Sequence, residues 1–133
     1  MHIKEYATNG EGWTTLEGLQ FHPVSKTSRW PAGEHFSYCN SGPPAVAFVI
    51  EKITGETIED FIDANIFKPL GMKHSSLLKT DYVDQHLSKG YSGEHNSEAN
   101  YWHIIDRAAG SINSNATEMA NYCLLYTSDA ADE

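Results

Sequence analysis

The sequence is short of positive charge. Its 133 residues hold 9 Lys and Arg against 18 Asp and Glu, a formal charge of -9. Nucleic-acid binding needs clustered Lys and Arg to displace phosphate counterions, so this balance argues against such a partner. Long apolar runs are missing too. The longest, Ala45 to Ile50, is far below the roughly 20 residues a membrane helix needs. Met1 to Tyr6 holds no apolar core of signal-peptide length. In an intact protein that favours the cytoplasm; in a fragment it carries no meaning. Cysteine is scarce: Cys39 and Cys123 form no C-x-x-C, so neither a redox motif nor a zinc ribbon is indicated. There is no H-x-H and no H-E-x-x-H, and His35 with Cys39 makes two ligands where zinc wants three or four. No metal or other cofactor is expected. The G-x-S-x-G elbow of the α/β-hydrolases is also missing. What is there is ordinary for a soluble globular chain, 40% hydrophobic and 20% charged.

Along the chain, Asn9–Gly12 reads as a turn and Trp13 to Phe21 as a short helix. Thr14 and Glu17 make a capping box there, while Gly18 weakens it. Pro31-Ala32-Gly33 is a turn, and Ser41-Gly42-Pro43-Pro44 a helix entry, with Pro tolerated in the first turn. Val46, Val49, Ile50 and Ile53 then follow the spacing of one buried helix face, closed by Thr54-Gly55. Thr57, with Asp60 three residues on, caps a second helix whose apolar face is Ile58, Phe61, Ile62 and Ile66; Pro69 stops it. The pair predicts a helical hairpin. Asp81 to Asn100 is polar and reads as mostly loop. Ala109-Gly110-Ser111 is a tight turn. Ser114 or Asn115 caps a last helix through Glu118, Met119 and Tyr122.

The informative window runs from Trp30 to Met72. It contains a Pro-Gly turn, an aromatic residue, Tyr38-Cys39-Asn40, a glycine, a helix ending Glu51-Lys52-Ile53-Thr54-Gly55, a second helix, and Pro69-Leu70-Gly71-Met72. This ordered run resembles the segment around the second catalytic motif of the class C β-lactamase and penicillin-binding-protein family of serine hydrolases. That family also holds D-D-carboxypeptidases and esterases. The resemblance extends over roughly residues 28 to 122. It implies an α+β fold, an antiparallel sheet flanked by helices. This stretch maps mostly to the helical part, with most sheet strands missing.

The resemblance further implies an acyl-transfer enzyme without a cofactor, acting on a β-lactam, a D-alanyl peptide or a small ester. Tyr38 matches the family's tyrosine. A free phenol is a poor base at neutral pH, and a neighbouring ammonium favours its charged form, so Tyr38 is expected to exchange protons with a serine nucleophile. Asn40 matches the family's asparagine, whose amide both donates and accepts. Taken alone, Tyr38 reads as a packed aromatic, Asn40 as an N-cap for the helix after Pro43, and Cys39 as a small semi-buried residue.

Family order places the S-x-x-K serine and lysine before Tyr-x-Asn, and a third motif after Tyr122. Ser76-Leu77-Leu78-Lys79 comes after the tyrosine and does not match. The expected reading is therefore a partial hydrolase domain over residues 1–122, inactive alone, exposing apolar surface, from a cell-envelope, periplasmic or secreted parent. Residues 123–133 break the pattern. They are similar to a translated sequencing-library adapter, the alternative being a genuine acidic tail. Two other readings stand beside this one: a family member that has lost catalysis and serves as a binding or regulatory protein, and an independent acidic helical interaction domain.

Overall fold

The computed structural model describes residues 7–8, 14–21, 29–93, 97–101 and 103–129. The turn read at Asn9–Gly12 and the helix start at Trp13 fall outside these residues. The elements in chain order are β1 (Ala7–Thr8), α1 (Thr15–Phe21), α2 (Gly42–Thr54), α3 (Ile58–Ile62, continuing as a π-helical turn over Asp63–Phe67), α4 (Asp81–His86), β2 (Gly90–Ser92), β3 (Ser97–Ala99), β4 (His103–Ile104), α5 (Arg107–Gly110) and α6 (Ala116–Asp129). Helices dominate. The strands form two antiparallel pairs, β1 with β4 and β2 with β3. No helix among the described residues is long and apolar enough to cross a membrane.

The chain divides into two compact units. The first comprises Met1–Glu56 and Trp102–Ser111. Here α1 begins with the capping box read from the sequence. The Thr14 amide donates to Glu17 Oε2 at 2.7 Å, and the Glu17 amide donates to Thr14 Oγ1 at 3.2 Å. The bond from the Thr14 backbone and then the one from its hydroxyl, which donates to Glu17 Oε2 at 2.8 Å, hold the Glu17 carboxyl below its ordinary value.

α2 packs against α1 and α5. Its contact face is Pro44 and Ala47, both buried, with Glu51 accepting a bond from Thr15 Oγ1 at 2.8 Å. This corrects the buried face expected from periodicity. Val46, Val49 and Ile53 are 61%, 52% and 79% exposed. The two stripes differ by two positions, about 200° around a helix of 3.6 residues per turn, so they lie on opposite sides. Small residues allow close approach to α1 and α5, and the bulkier apolar stripe faces outward. The expectation that apolar surface is exposed holds here.

Gly18 in α1 has a structural reason. A Cβ built on it meets Asp106 Oδ1, Ile105 Cγ2 and the Ile105 carbonyl oxygen, each at 3.2 Å. Alanine gains about 1 kcal/mol of helix propensity at an open site. Overpacking costs about 1–3 kcal/mol, and a backbone carbonyl yields little. We therefore expect Gly18→Ala to lower the thermal unfolding midpoint. A raised midpoint would show that the neighbours move aside.

The second unit comprises Thr57–Tyr101 and Ile112–Glu133. Thr57 caps α3, its Oγ1 accepting from the Asp60 amide at 3.1 Å. Ile58 is buried, and Ile62 and Ile66 pack on a cluster of Phe67, Met72 and Leu77 that Tyr122 of α6 also covers. Gly71, at φ +69°, turns the chain after the π-helical segment. Asn115 is the residue that caps α6, its Oδ1 accepting from the Glu118 amide at 2.9 Å. That helix runs on past Tyr122 to Asp129.

The loop read over Asp81 to Asn100 is corrected. Thr80 caps α4 by accepting from the Val83 amide at 3.2 Å, and β2 pairs with β3. Six helical residues are too few to show a period, and β2 is exposed throughout, so no alternation marks it.

Candidate active-site segment and a buried polar centre

Tyr38, Cys39 and Asn40 lie in the irregular segment between the Pro31–Glu34 turn and α2. The Glu34 amide donates to the Pro31 carbonyl at 3.4 Å, and Gly33 takes φ +87°, which a side chain would resist. The Gly42 amide donates to the Cys39 carbonyl at 3.4 Å and leads into the helix. Tyr38 is 80% exposed, and Asn40 and Cys39 are exposed as well.

Three sequence readings change at this point. Tyr38 is not a packed aromatic. Cys39 is not semi-buried. Asn40 is not the N-cap: that position belongs to Ser41, which makes no side-chain capping bond because Pro43 and Pro44 in the first turn leave few amides to cap. Asn40 therefore keeps its amide for other partners. His35, like Cys39, lies outside any helix. Its ring meets Trp30 at 5.2 Å between centroids.

The S-x-x-K in the second unit is occupied by structural contacts. Ser76 exchanges backbone bonds with Asn113 at 3.0 and 2.8 Å, and its Oγ accepts from the Leu78 amide at 3.0 Å. Lys79 pairs with Asp84 and lies over the Tyr101 ring, 5.4 Å from its centroid. A nucleophile and its lysine need to meet each other, and these two are committed elsewhere.

A polar centre in the second unit was not read from the sequence. Glu118 on α6 is 5% exposed. Its Oε1 accepts from the His74 amide at 3.0 Å and lies 2.9 Å from His74 Nδ1; its Oε2 accepts from Ser75 Oγ at 2.6 Å. Ser75 spends its single proton on that carboxylate, so Ser114 Oγ donates to Ser75 Oγ at 2.7 Å. Burial works to raise the Glu118 carboxyl. The hydrogen bonds from Ser75, the His74 amide and ring, and Asn115 outweigh it and hold the group below its ordinary value. His74 stacks on Tyr82, which stacks on His86, and a cavity of about 590 Å³ opens beside these rings. Glu118 lies 44 positions after His74, and in the sequence it reads only as a residue of the last helix. Buried Ser75, tied to a carboxylate, holds the loop over residues 73–76 to α6 and offers no open nucleophile.

Comparison with known proteins places these features. The Beta-lactamase family profile matches residues 23–133. A D-aminopeptidase of Brucella anthropi is 36% identical over 69 residues, 52% of this chain and 13% of that protein. A D-aminopeptidase of Brucella ovis is 33% identical over 69 residues with the same coverage. Among solved structures, the octameric penicillin-binding protein homologue from Pyrococcus abyssi superposes with a TM-score of 0.70 at 28% identity, covering 85% of this chain and 26% of that one. The matched part is thus a small share of each relative. The Tyr38–Asn40 segment, the helix it enters and the Gly71-Met72 turn all fall inside the family match, and the chain belongs to the β-lactamase family.

Proposed function

We propose that this chain carries the proton-transfer motif of a serine hydrolase that works through an acyl-enzyme. The observation that carries the reading is Tyr38 with Asn40, held outward between a Pro-Gly turn and the start of α2 within the family match. In this mechanism a serine hydroxyl supplied by preceding polypeptide attacks the substrate carbonyl. The Tyr38 oxygen accepts the serine proton as the new C–O bond forms. It returns that proton to the leaving amine or alkoxide as the old bond breaks. Tyr38 next takes a proton from water, which attacks the ester, and the serine leaves with that proton. Asn40 supplies an amide donor to the substrate and an acceptor to the lysine partnering the serine.

For substrate class we propose a peptide or amide bearing a D-residue, ahead of β-lactams and small esters. The D-aminopeptidases that match this chain support that choice. The location proposed for the parent is the cell envelope or beyond it. Residues 123–133 are proposed to be adapter-derived, which the underlying codons decide.

This chain alone has no serine–lysine pair in the required order. We therefore expect no turnover of a chromogenic cephalosporin, a p-nitrophenyl ester or a D-alanine p-nitroanilide above the uncatalysed rate. Turnover by the isolated chain would refute the assignment of the nucleophile to other polypeptide. A full reading frame without a preceding S-x-x-K would instead favour the reading of a family member that has lost catalysis.

A further inference from the structure

Resting on the reading of Tyr38 as the base, we propose that the Trp30–His35 ring pair is the positioning device for the Tyr38–Asn40 motif. Residues 29 to 40 are all exposed. The hydrophobic effect acts on surface removed from water, so it helps hold Trp30, 44% exposed, but does little for Phe36 and Tyr38, 95% and 80% exposed. Among the described residues, backbone bonding is sparse as well. The turn has the Glu34-to-Pro31 bond, and the helix entry has the Gly42-to-Cys39 bond, each at 3.4 Å. Both sit beyond the ordinary range for N–H···O bonds.

The rings supply what the backbone lacks. Trp30 and His35 flank the turn, and their planes incline at 56° with centroids 5.2 Å apart. That is the tilted arrangement in which ring edges meet ring faces favourably. Pro31 fixes φ at the start of the turn, and Gly33 reverses the chain at φ +87°. The ring contact then closes the loop on itself and sets the direction in which the chain leaves His35. Only Phe36 and Ser37 separate this clasp from Tyr38, and α2 anchors the other side. A proton-transferring oxygen needs placement to a fraction of an ångström, and misplacement by about 1 Å costs on the order of 10²-fold in rate. Trp30 and His35 act through Tyr38 and touch no reacting atom themselves.

The test is backbone dynamics by ¹⁵N relaxation on the 133-residue chain. We expect a Tyr38 amide order parameter near about 0.85 in the unaltered chain, below about 0.6 in His35→Ala, and restored in His35→Phe, with Ala47 of α2 near about 0.85 throughout. His35→Phe keeps a ring while removing the imidazole, so recovery separates ring packing from histidine chemistry. Four results overturn the proposal: a mobile Tyr38 in the unaltered chain, no loss in His35→Ala, no recovery in His35→Phe, or Ala47 loosening together with Tyr38. The last would make the pair a support of the helix and not of the motif. Turnover surviving Tyr38→Phe in the full-length protein would remove the base reading and leave these order parameters untouched, so the two failures are distinct.

Discussion

Replacing Tyr38 by Phe in the full-length protein is expected to lower kcat of the proposed hydrolase by about 10²–10⁴-fold, the range that general acid–base groups contribute. The change deletes one oxygen and keeps the ring. Because the ring and its packing surface are kept, the unfolding free energy should move by less than about 0.5 kcal/mol. A large kinetic loss with an unmoved unfolding midpoint is the signature of a proton-transfer role. KM should change less than kcat, since the proton moves only in the transition state. Single-turnover kinetics with a chromogenic substrate give both acylation and deacylation. Both should slow, because in the proposed mechanism the same oxygen serves each step. If Tyr38→Phe retains the parent's turnover, the assigned role is wrong.

Glu118→Gln is the second substitution with a large expected effect, and it acts on stability. The carboxylate accepts from the His74 amide, lies against His74 Nδ1 and accepts from Ser75 Oγ, all while 5% exposed. Glutamine keeps one acceptor and turns an N–H₂ toward groups that are themselves donors. A buried donor left unpaired costs about 1–3 kcal/mol. We expect about 2 kcal/mol lost from the second unit, read as a lower denaturant midpoint with an unchanged slope. The pH dependence carries a definite sign. The folded carboxyl titrates below the ordinary value of 4.5, so the folded state binds fewer protons than the unfolded chain there. The stabilisation is present in full above 4.5. It declines as pH falls below that value and is gone once pH passes the depressed folded value. Glu118→Gln should remove this acid-dependent component while leaving the remaining carboxylates to titrate. Circular dichroism melts between neutral pH and about pH 3 follow it. Coincident curves for the two proteins would show that Glu118 contributes nothing at this site.

Local chemistry was legible in the residues. Thr14 with Glu17, Thr57 with Asp60, and the C-cap at Gly55 involve partners three or four residues apart, and each forms as read. Such bonds are decided by backbone geometry within one turn. The family resemblance was legible for a related reason, since it rests on contiguous residues from Trp30 to Met72. Short elements were harder. α4 and the β2–β3 pair carry too few residues for a period to emerge, and the hairpin's exposed faces give no alternation to find.

The sequence by itself determined the caps of α1, α2 and α3, that the chain is acidic, and to which family it belongs. Tertiary structure decided which face of α2 is buried and what surrounds Glu118. Periodicity reports that Val46, Val49 and Ile53 share a side, yet Pro44 and Ala47 make the contact, because close approach of α1 and α5 favours small residues. Likewise no local rule joins His74 and Ser75 to a carboxylate on α6. A buried charge takes whichever donors the packing brings near, and distance along the chain has no part in that choice.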